Sequence, residues 1–318
     1  MLKRIGTAVI MLAVIFSCVF WLRMYSLICT DILIMAFAWV GGYEMFKSLQ
    51  KKSVNKAIID VSSGKSVVSS GKSVVQEFKL KPMLIPIVVC CVIVYPLVYF
   101  LSAAGLLVTL VVGTILSLII MVVKHTKYSI SDVCATVFNI VYPITIMSIL
   151  VIMNHSEMGL FSLLSTFAVV VMTDTMAYFV GVTCKGPKLC PNISPKKTIS
   201  GAVGGVLGGI LGMVIVYLLF CQFNVFEYMS SAGLIEPEKN YIFVNIPLNL
   251  AVLLPLGAIC SVIAEFGDLA ASIIKRKIGI KDYGNIFPGH GGVMDRIDSF
   301  LAVIPVMYIA FVIIEMCV

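Results

Sequence analysis

The polar positions of this chain are few and bunched. Between them apolar residues run on for roughly 17 to 25 positions at a time, the length a helix needs to cross a bilayer. Runs of this kind lie at about 5–22, 26–43, 83–101, 104–123, 133–153, 158–180, 201–223, 243–264 and 300–317. They predict nine transmembrane helices. The runs far exceed the roughly ten-residue alternating segments of a membrane β-barrel, and in lipid each segment must satisfy its own backbone N–H and C=O groups. The expected fold is therefore all-α, a polytopic membrane helix bundle.

Composition agrees, for 60% of the 318 residues are hydrophobic and 12% charged, against about 25% charged in a soluble domain. Lys and Arg favour cytoplasmic loops. With the N-terminus inside, the inner segments hold Lys3, Arg4, eight lysines between 45 and 82, Lys124, Lys127, four lysines between 185 and 197, and five cations between 275 and 296, which is 21 of the 23. Arg23 and Lys239 fall outside, and the outer loop 224–242 carries Glu227, Glu236 and Glu238. The expected topology is N-in, C-out. The net charge of +7 is accounted for by this topology and two basic inner loops, so it is no nucleic-acid footprint. Lys3 and Arg4 ahead of an apolar run imitate a signal peptide, but no small-residue cleavage pattern follows, and retention is expected. Of the ten cysteines, eight lie in or at the ends of spans as small apolar residues, while Cys184 and Cys190 share a loop without zinc-ribbon spacing.

Residues 1–82 read as two helices plus a basic cytoplasmic linker, and 83–318 as the catalytic membrane domain. The linker repeats Ser-Ser-Gly-Lys-Ser-Val-Val at 62–68 and 69–75, but a P-loop needs a Gly five residues before its Gly-Lys pair, and positions 59 and 66 are Ile and Ser. A flexible linker is expected there. The polar information sits instead in two inner loops, 181–200 and 265–299.

If the eighth span continues as helix, Glu265, Asp268, Ser272 and Lys275 fall on one stripe at spacings of three or four. Carboxylates at the end of a span are costly unless paired or bound to metal, so this stripe points to a site. Lys281 and Asp282 follow, then Phe287-Pro288-Gly289-His290-Gly291-Gly292, a glycine-rich turn able to bring N–H groups close to an anion. Asp295 and Asp298 then stand three residues apart beside Arg296. Carboxylates grip a hard cation such as Mg²⁺ and a guanidinium grips phosphate, the pair of functions that nucleotidyl transfer requires. His290 is expected to bind phosphate or hold the turn ahead of acting as a base, while His125 and His155 read as surface residues. Asp174 lies within the sixth span near its inner end, and an intramembrane acid is a site hypothesis by default. Behind it Ser194, Lys196, Lys197 and Thr198 supply hydroxyls and cations suited to a triphosphate or a lipid phosphate.

Ser272, Lys275-Arg276, Lys281-Asp282, Pro288, His290-Gly291-Gly292 and Asp295-Arg296-Ile297-Asp298 together resemble the signature of the phosphatidate cytidylyltransferases (CDP-diglyceride synthases) at that family's spacing. Asp174, Ala177-Tyr178 and Gly181, with Ser194-Pro195 and Lys197-Thr198, resemble its second motif, so the resemblance covers roughly 83–318. Met176, Thr183-Cys184-Lys185 and Ser200 depart from that motif. The resemblance implies transfer of CMP from CTP to phosphatidic acid at the inner membrane, with Mg²⁺ or another divalent cation. It implies metal- and phosphate-organising roles for Asp268, Asp282, Asp295 and Asp298, with Asp174 as a further metal candidate. Lys275, Arg276, Lys281 and Arg296 would neutralise polyphosphate, Ser272, Gly291 and Gly292 would line its site, and Lys196 and Lys197 would serve the lipid phosphate or the nucleotide. Membrane lipid is the expected surrounding partner, and a homodimer is left open. The rivals are an anion transporter, disfavoured by the lack of two related halves, and a CTP-dependent lipid kinase.

Overall fold

The computed structural model describes residues 26–50, 80–191, 193–222, 246–286 and 291–317. The expected span 5–22, the duplicated linker, the acidic outer loop and Phe287 to His290 lie outside the described residues. Eight helices follow in order: α1 (Leu27–Gln50), α2 (Leu84–Leu101), α3 (Ala103–Val123), α4 (Ile130–Asn154), α5 (Gly159–Cys184), α6 (Ile199–Gln222), α7 (Ile246–Ile278) and α8 (Met294–Cys317). Each is long and apolar enough to cross a membrane.

The helical expectation holds with three refinements. Between α5 and α6 the chain makes a two-stranded antiparallel hairpin, β1 (Lys188–Cys190) and β2 (Ser194–Thr198). Helix α7 runs on to Ile278, because nothing in Glu265 to Ile278 breaks it before Gly279, which has φ +80°. The last helix begins at Met294, not near 300, so Asp295, Arg296 and Asp298 stand on its first turns and not in a loop.

Two devices suit the chain to lipid. Helix α3 buries Gly105, Thr109, Gly113 and Ser117, a stripe of small residues every fourth position, while Val111, Ile115, Ile119 and Val122 remain exposed as a lipid-facing surface. Its hydroxyls bond within the helix, Thr109 to the carbonyl of Gly105 at 2.8 Å and Ser117 to that of Gly113 at 2.7 Å. The closest helix contact joins α5 and α6, where Gly204, Gly208 and Gly212 admit Val180, Met176 and the backbone of Ala168. Phe161 of α5 then meets Phe220 of α6 and Phe311 of α8 edge-on, at centroid distances of 5.2 and 5.7 Å.

Helix α4 contains a π-helical turn, Ile140–Thr145, around Pro143, whose missing N–H interrupts the ordinary ladder. Asn139 beside it donates to the carbonyl of Gly42 at 3.0 Å, tying α4 to α1. The start of α4 receives the chain entering α2: Asp132 accepts the N–H groups of Lys81 and Ser129, and Thr136 Oγ1 accepts that of Met83 at 2.8 Å.

Candidate functional site

The C-terminal ends of α1 and α7, the β-hairpin and the start of α8 come together at one end of the bundle. Lys275, on the α7 stripe, is the hub. Its ammonium lies 2.9 Å from Asp295 Oδ1, 3.6 Å from Asp298 Oδ2 and 5.4 Å above the Tyr283 ring. All three charged side chains are close to fully buried, so each charge depends on the others for compensation. Asp295 Oδ2 accepts the N–H of Tyr283 at 2.8 Å and that of Gly292 at 3.0 Å. Both of its oxygens are thus engaged by protein donors, and it ties Tyr283 and Gly292 to α8. Gly291 sits at φ +86° with its α-carbon against this carboxylate, where a side chain would be both strained and obstructed. Among the described residues Asp298 Oδ1 accepts only the neighbouring Ser299 N–H, at 2.9 Å.

The hairpin adds the second cation. Lys197 of β2 pairs with Asp268 Oδ2 at 2.7 Å, each about one-quarter exposed. Asp174 of α5 is exposed although it sits within a membrane helix, and it lies within electrostatic reach of Asp268, Lys197 and Arg296. Glu265, one turn before Asp268, feels Lys197, Asp174 and Asp268, and its buried Oε1 has no hydrogen-bond partner among the described residues. Tyr142, on the π-helical turn, lies within electrostatic reach of Asp298 and Asp268. In the loop, burial first, then Tyr142 and the carboxylates of Asp298 and Asp295, push the Tyr283 hydroxyl far above its ordinary range, so it stays a neutral donor aimed at the carbonyl of Ala271.

The structure thus joins Asp174, Lys197, Asp268, Lys275, Asp295, Arg296 and Asp298. Gly292 packs beneath them and donates to Asp295. Ser272 is half-buried on α7. Arg276, Lys281, Asp282 and Lys196 are exposed and, with Ser194, make no side-chain hydrogen bond or ion pair among the described residues. Thr198 is buried, and its Oγ1 accepts the Gly201 N–H at 3.1 Å, which makes it the cap of α6. His290 lies outside the described residues.

One expectation is refined. His155 is exposed as expected but is not isolated: its Nε2 lies 2.7 Å from Asp31, which is fully buried and also accepts from Asn154 at 2.8 Å. This network is at the opposite end of the bundle from Lys275. Reasoning along the chain also missed Glu44, Tyr142 and Tyr283. The signal for Glu44 was an acid closing an otherwise apolar run, which the helix carries on to Gln50.

A bundle of membrane-crossing helices that gathers aspartates, lysines and an arginine at one end is a multi-pass membrane protein with a charged cluster at that end. Its chain matches the model of the Cytidylyltransferase family over residues 2–314, and it belongs to that family. It is 38% identical to the phosphatidate cytidylyltransferase of Staphylococcus aureus (strain COL) over 154 residues, 48% of this chain and 50% of that protein. The phosphatidate cytidylyltransferase of Staphylococcus saprophyticus is 35% identical over 191 residues, 60% of this chain and 64% of the relative. That of Rickettsia typhi is 35% identical over 169 residues, 53% of this chain and 66% of the relative. The chain spans about half the length of the first of these relatives and less than two thirds of each.

Proposed function

We propose that this protein is a phosphatidate cytidylyltransferase of the cell inner membrane, transferring CMP from CTP to phosphatidic acid with its site toward the cytoplasm. The observation that carries the reading is the meeting of the α7 stripe, the β2 lysine and the first turns of α8, three segments far apart in sequence, in one cluster of acids and cations. In the reaction, a phosphate oxygen of phosphatidic acid bonds to the α-phosphorus of CTP. The bond from that phosphorus to the β-phosphate bridging oxygen breaks, and pyrophosphate leaves, giving CDP-diacylglycerol. A phosphomonoester is already anionic near neutral pH, its second pKa being about 6, so no general base is required.

Lys197, Lys275 and Arg296 would neutralise the phosphates, Lys197 and Lys275 by exchanging their present carboxylate partners for phosphate oxygens. Among the described residues no three acids stand close enough together to hold a metal ion by themselves. Asp298, Asp268 and Asp174 lie within electrostatic reach of one another, and Lys275 lies between the carboxylates of Asp295 and Asp298. A divalent cation such as Mg²⁺ would therefore be shared between one or two of these carboxylates and the substrate phosphates, where it would supply charge stabilisation for the phosphorus under attack and the departing pyrophosphate. Asp295 keeps the glycine loop and α8 in register. The cytoplasmic orientation rests on the 21 of 23 cations assigned to inner segments.

Incubating the purified protein with phosphatidic acid and each labelled nucleoside triphosphate tests the reading. CDP-diacylglycerol and pyrophosphate in equal amounts are expected from CTP. Release of CDP with a phosphorylated lipid would assign a CTP-dependent lipid kinase instead.

A further inference from the structure

We infer that Glu44, on the first described helix, is a positioning residue of this site, setting the place of Asp295 through the N-terminus of α8. The inference rests on the transfer reaction proposed above. Glu44 is 4% exposed, close to the C-terminal end of α1. Its Oε2 accepts the N–H of Met294, the first residue of α8, at 2.8 Å, with the Val293 N–H close by. The first N–H groups of a helix have no partner within it. Here that need is met from another helix, 250 residues away.

Two further observations point to the loop as what Glu44 holds. A β-carbon on either Gly284 or Gly292 would run into the Glu44 carboxylate, so the loop closes directly over it. Ser48, one turn on and on the same face, donates to the carbonyl of Tyr283 at 3.3 Å. Tyr283 and Gly292 are the residues whose N–H groups hold Asp295 Oδ2. Glu44 and Ser48 thus grip both sides of the Asp295 cradle. Two carboxylates, Glu44 and Asp295, face one another here, and the partial positive charge at the start of α8 offsets both. The remaining oxygen, Oε1, is buried with no hydrogen-bond partner among the described residues. Oε2 serves the start of α8, while Oε1 lies against Gly284 and Gly292, a buried oxygen held there at a cost in desolvation.

Glu44→Ala, Glu44→Gln and Glu44→Asp are compared in the full-length protein in detergent. For Glu44→Ala, kcat for CDP-diacylglycerol synthesis, per folded protein, is expected to fall at least tenfold while KM for phosphatidic acid stays near native. Glu44→Gln, whose amide oxygen still accepts from Met294, should recover to within about threefold. Combined with Asp295→Asn, Glu44→Ala should add little, since both act on one element. Native kcat in Glu44→Ala, or a loss that adds in full to Asp295→Asn, overturns the inference. Should Glu44→Ala not accumulate, Glu44→Asp decides: withdrawing the carboxylate by one methylene should cost at least tenfold, and native kcat would overturn it. Hydrogen exchange of the peptide spanning 291–300 reads the same positioning without turnover. Exchange should rise in Glu44→Ala and Glu44→Asp and stay native in Glu44→Gln; unchanged exchange in all three overturns the inference whatever the reaction. Native protein that makes no CDP-diacylglycerol but shows the exchange pattern would sink the proposed reaction and leave Glu44's place intact.

Discussion

At the level of single residues the two aspartates of α8 part company. Asp295 is saturated by Lys275, Tyr283 and Gly292, whereas Asp298 accepts one backbone N–H and lies looser against Lys275. Asn at either position nearly preserves shape and removes the charge. Losing one preorganised electrostatic contact typically costs about 2.7 to 4 kcal/mol, roughly a hundred- to a thousand-fold in rate. Turnover of Asp295→Asn and of Asp298→Asn should each fall by that order. The two should differ in their response to metal: raising Mg²⁺ should partly restore Asp298→Asn and leave Asp295→Asn unchanged, because the latter's defect is in loop geometry. Initial rates across a Mg²⁺ series check this, and equal rescue of both would refute the division of roles. The spacing of Asp295, Arg296 and Asp298 marked them as a site from the chain alone. Which of the two carboxylates retained free lone pairs could not be read from that spacing, since their competing donors come from residues 12 and 20 positions away.

Among the elements, the α5–α6 pair carries the hairpin that delivers Lys197, so its packing should govern both stability and site. At Gly212 a β-carbon would press on the backbone carbonyl of Ala168, and backbone cannot step aside as a side chain can. Gly212→Ala should therefore push the helices apart and cost about 1 to 3 kcal/mol. Leu211→Ala, on the neighbouring lipid-facing position, should be nearly neutral. Thermal unfolding in detergent checks the pair, and equal stability of the two variants would remove the packing argument. The apolar runs foretold these helices, and their polar ends proved the least legible feature. Helix α7 extends well past its apolar run, and α8 starts six residues before its own, because backbone hydrogen bonding and capping, not hydrophobicity, decide where a helix stops once it leaves lipid.

For the whole molecule, the acids and cations of the site collect at one end, and the pairing of buried Asp31 with exposed His155 marks the other. Cysteines placed at Asn285 and at Ala103, both exposed, should then react oppositely with an impermeant thiol reagent on intact cells once the ten native cysteines are removed. Position 103 should label from outside and position 285 only after the membrane is opened. Labelling of 285 in intact cells would reverse the topology and put the site out of reach of cytosolic CTP.

By itself the sequence determined the class and pointed to the residues of the proposed site. Apolar run length set the helical bundle, since lipid leaves the backbone no other partner. Periodicity along α7 set the face shared by Glu265, Asp268, Ser272 and Lys275, because a helix fixes the direction of every side chain three or four apart. Only the tertiary structure decided which faces meet. It paired Lys197 with Asp268 and Lys275 with Asp295, brought Tyr142 within electrostatic reach of Asp298, made Thr198 a cap, and carried Glu44 across to the first N–H of α8. The reason is physical: a charge in an apolar interior must find its compensation in space, and the compensating group is chosen by how helices pack, which no local spacing encodes.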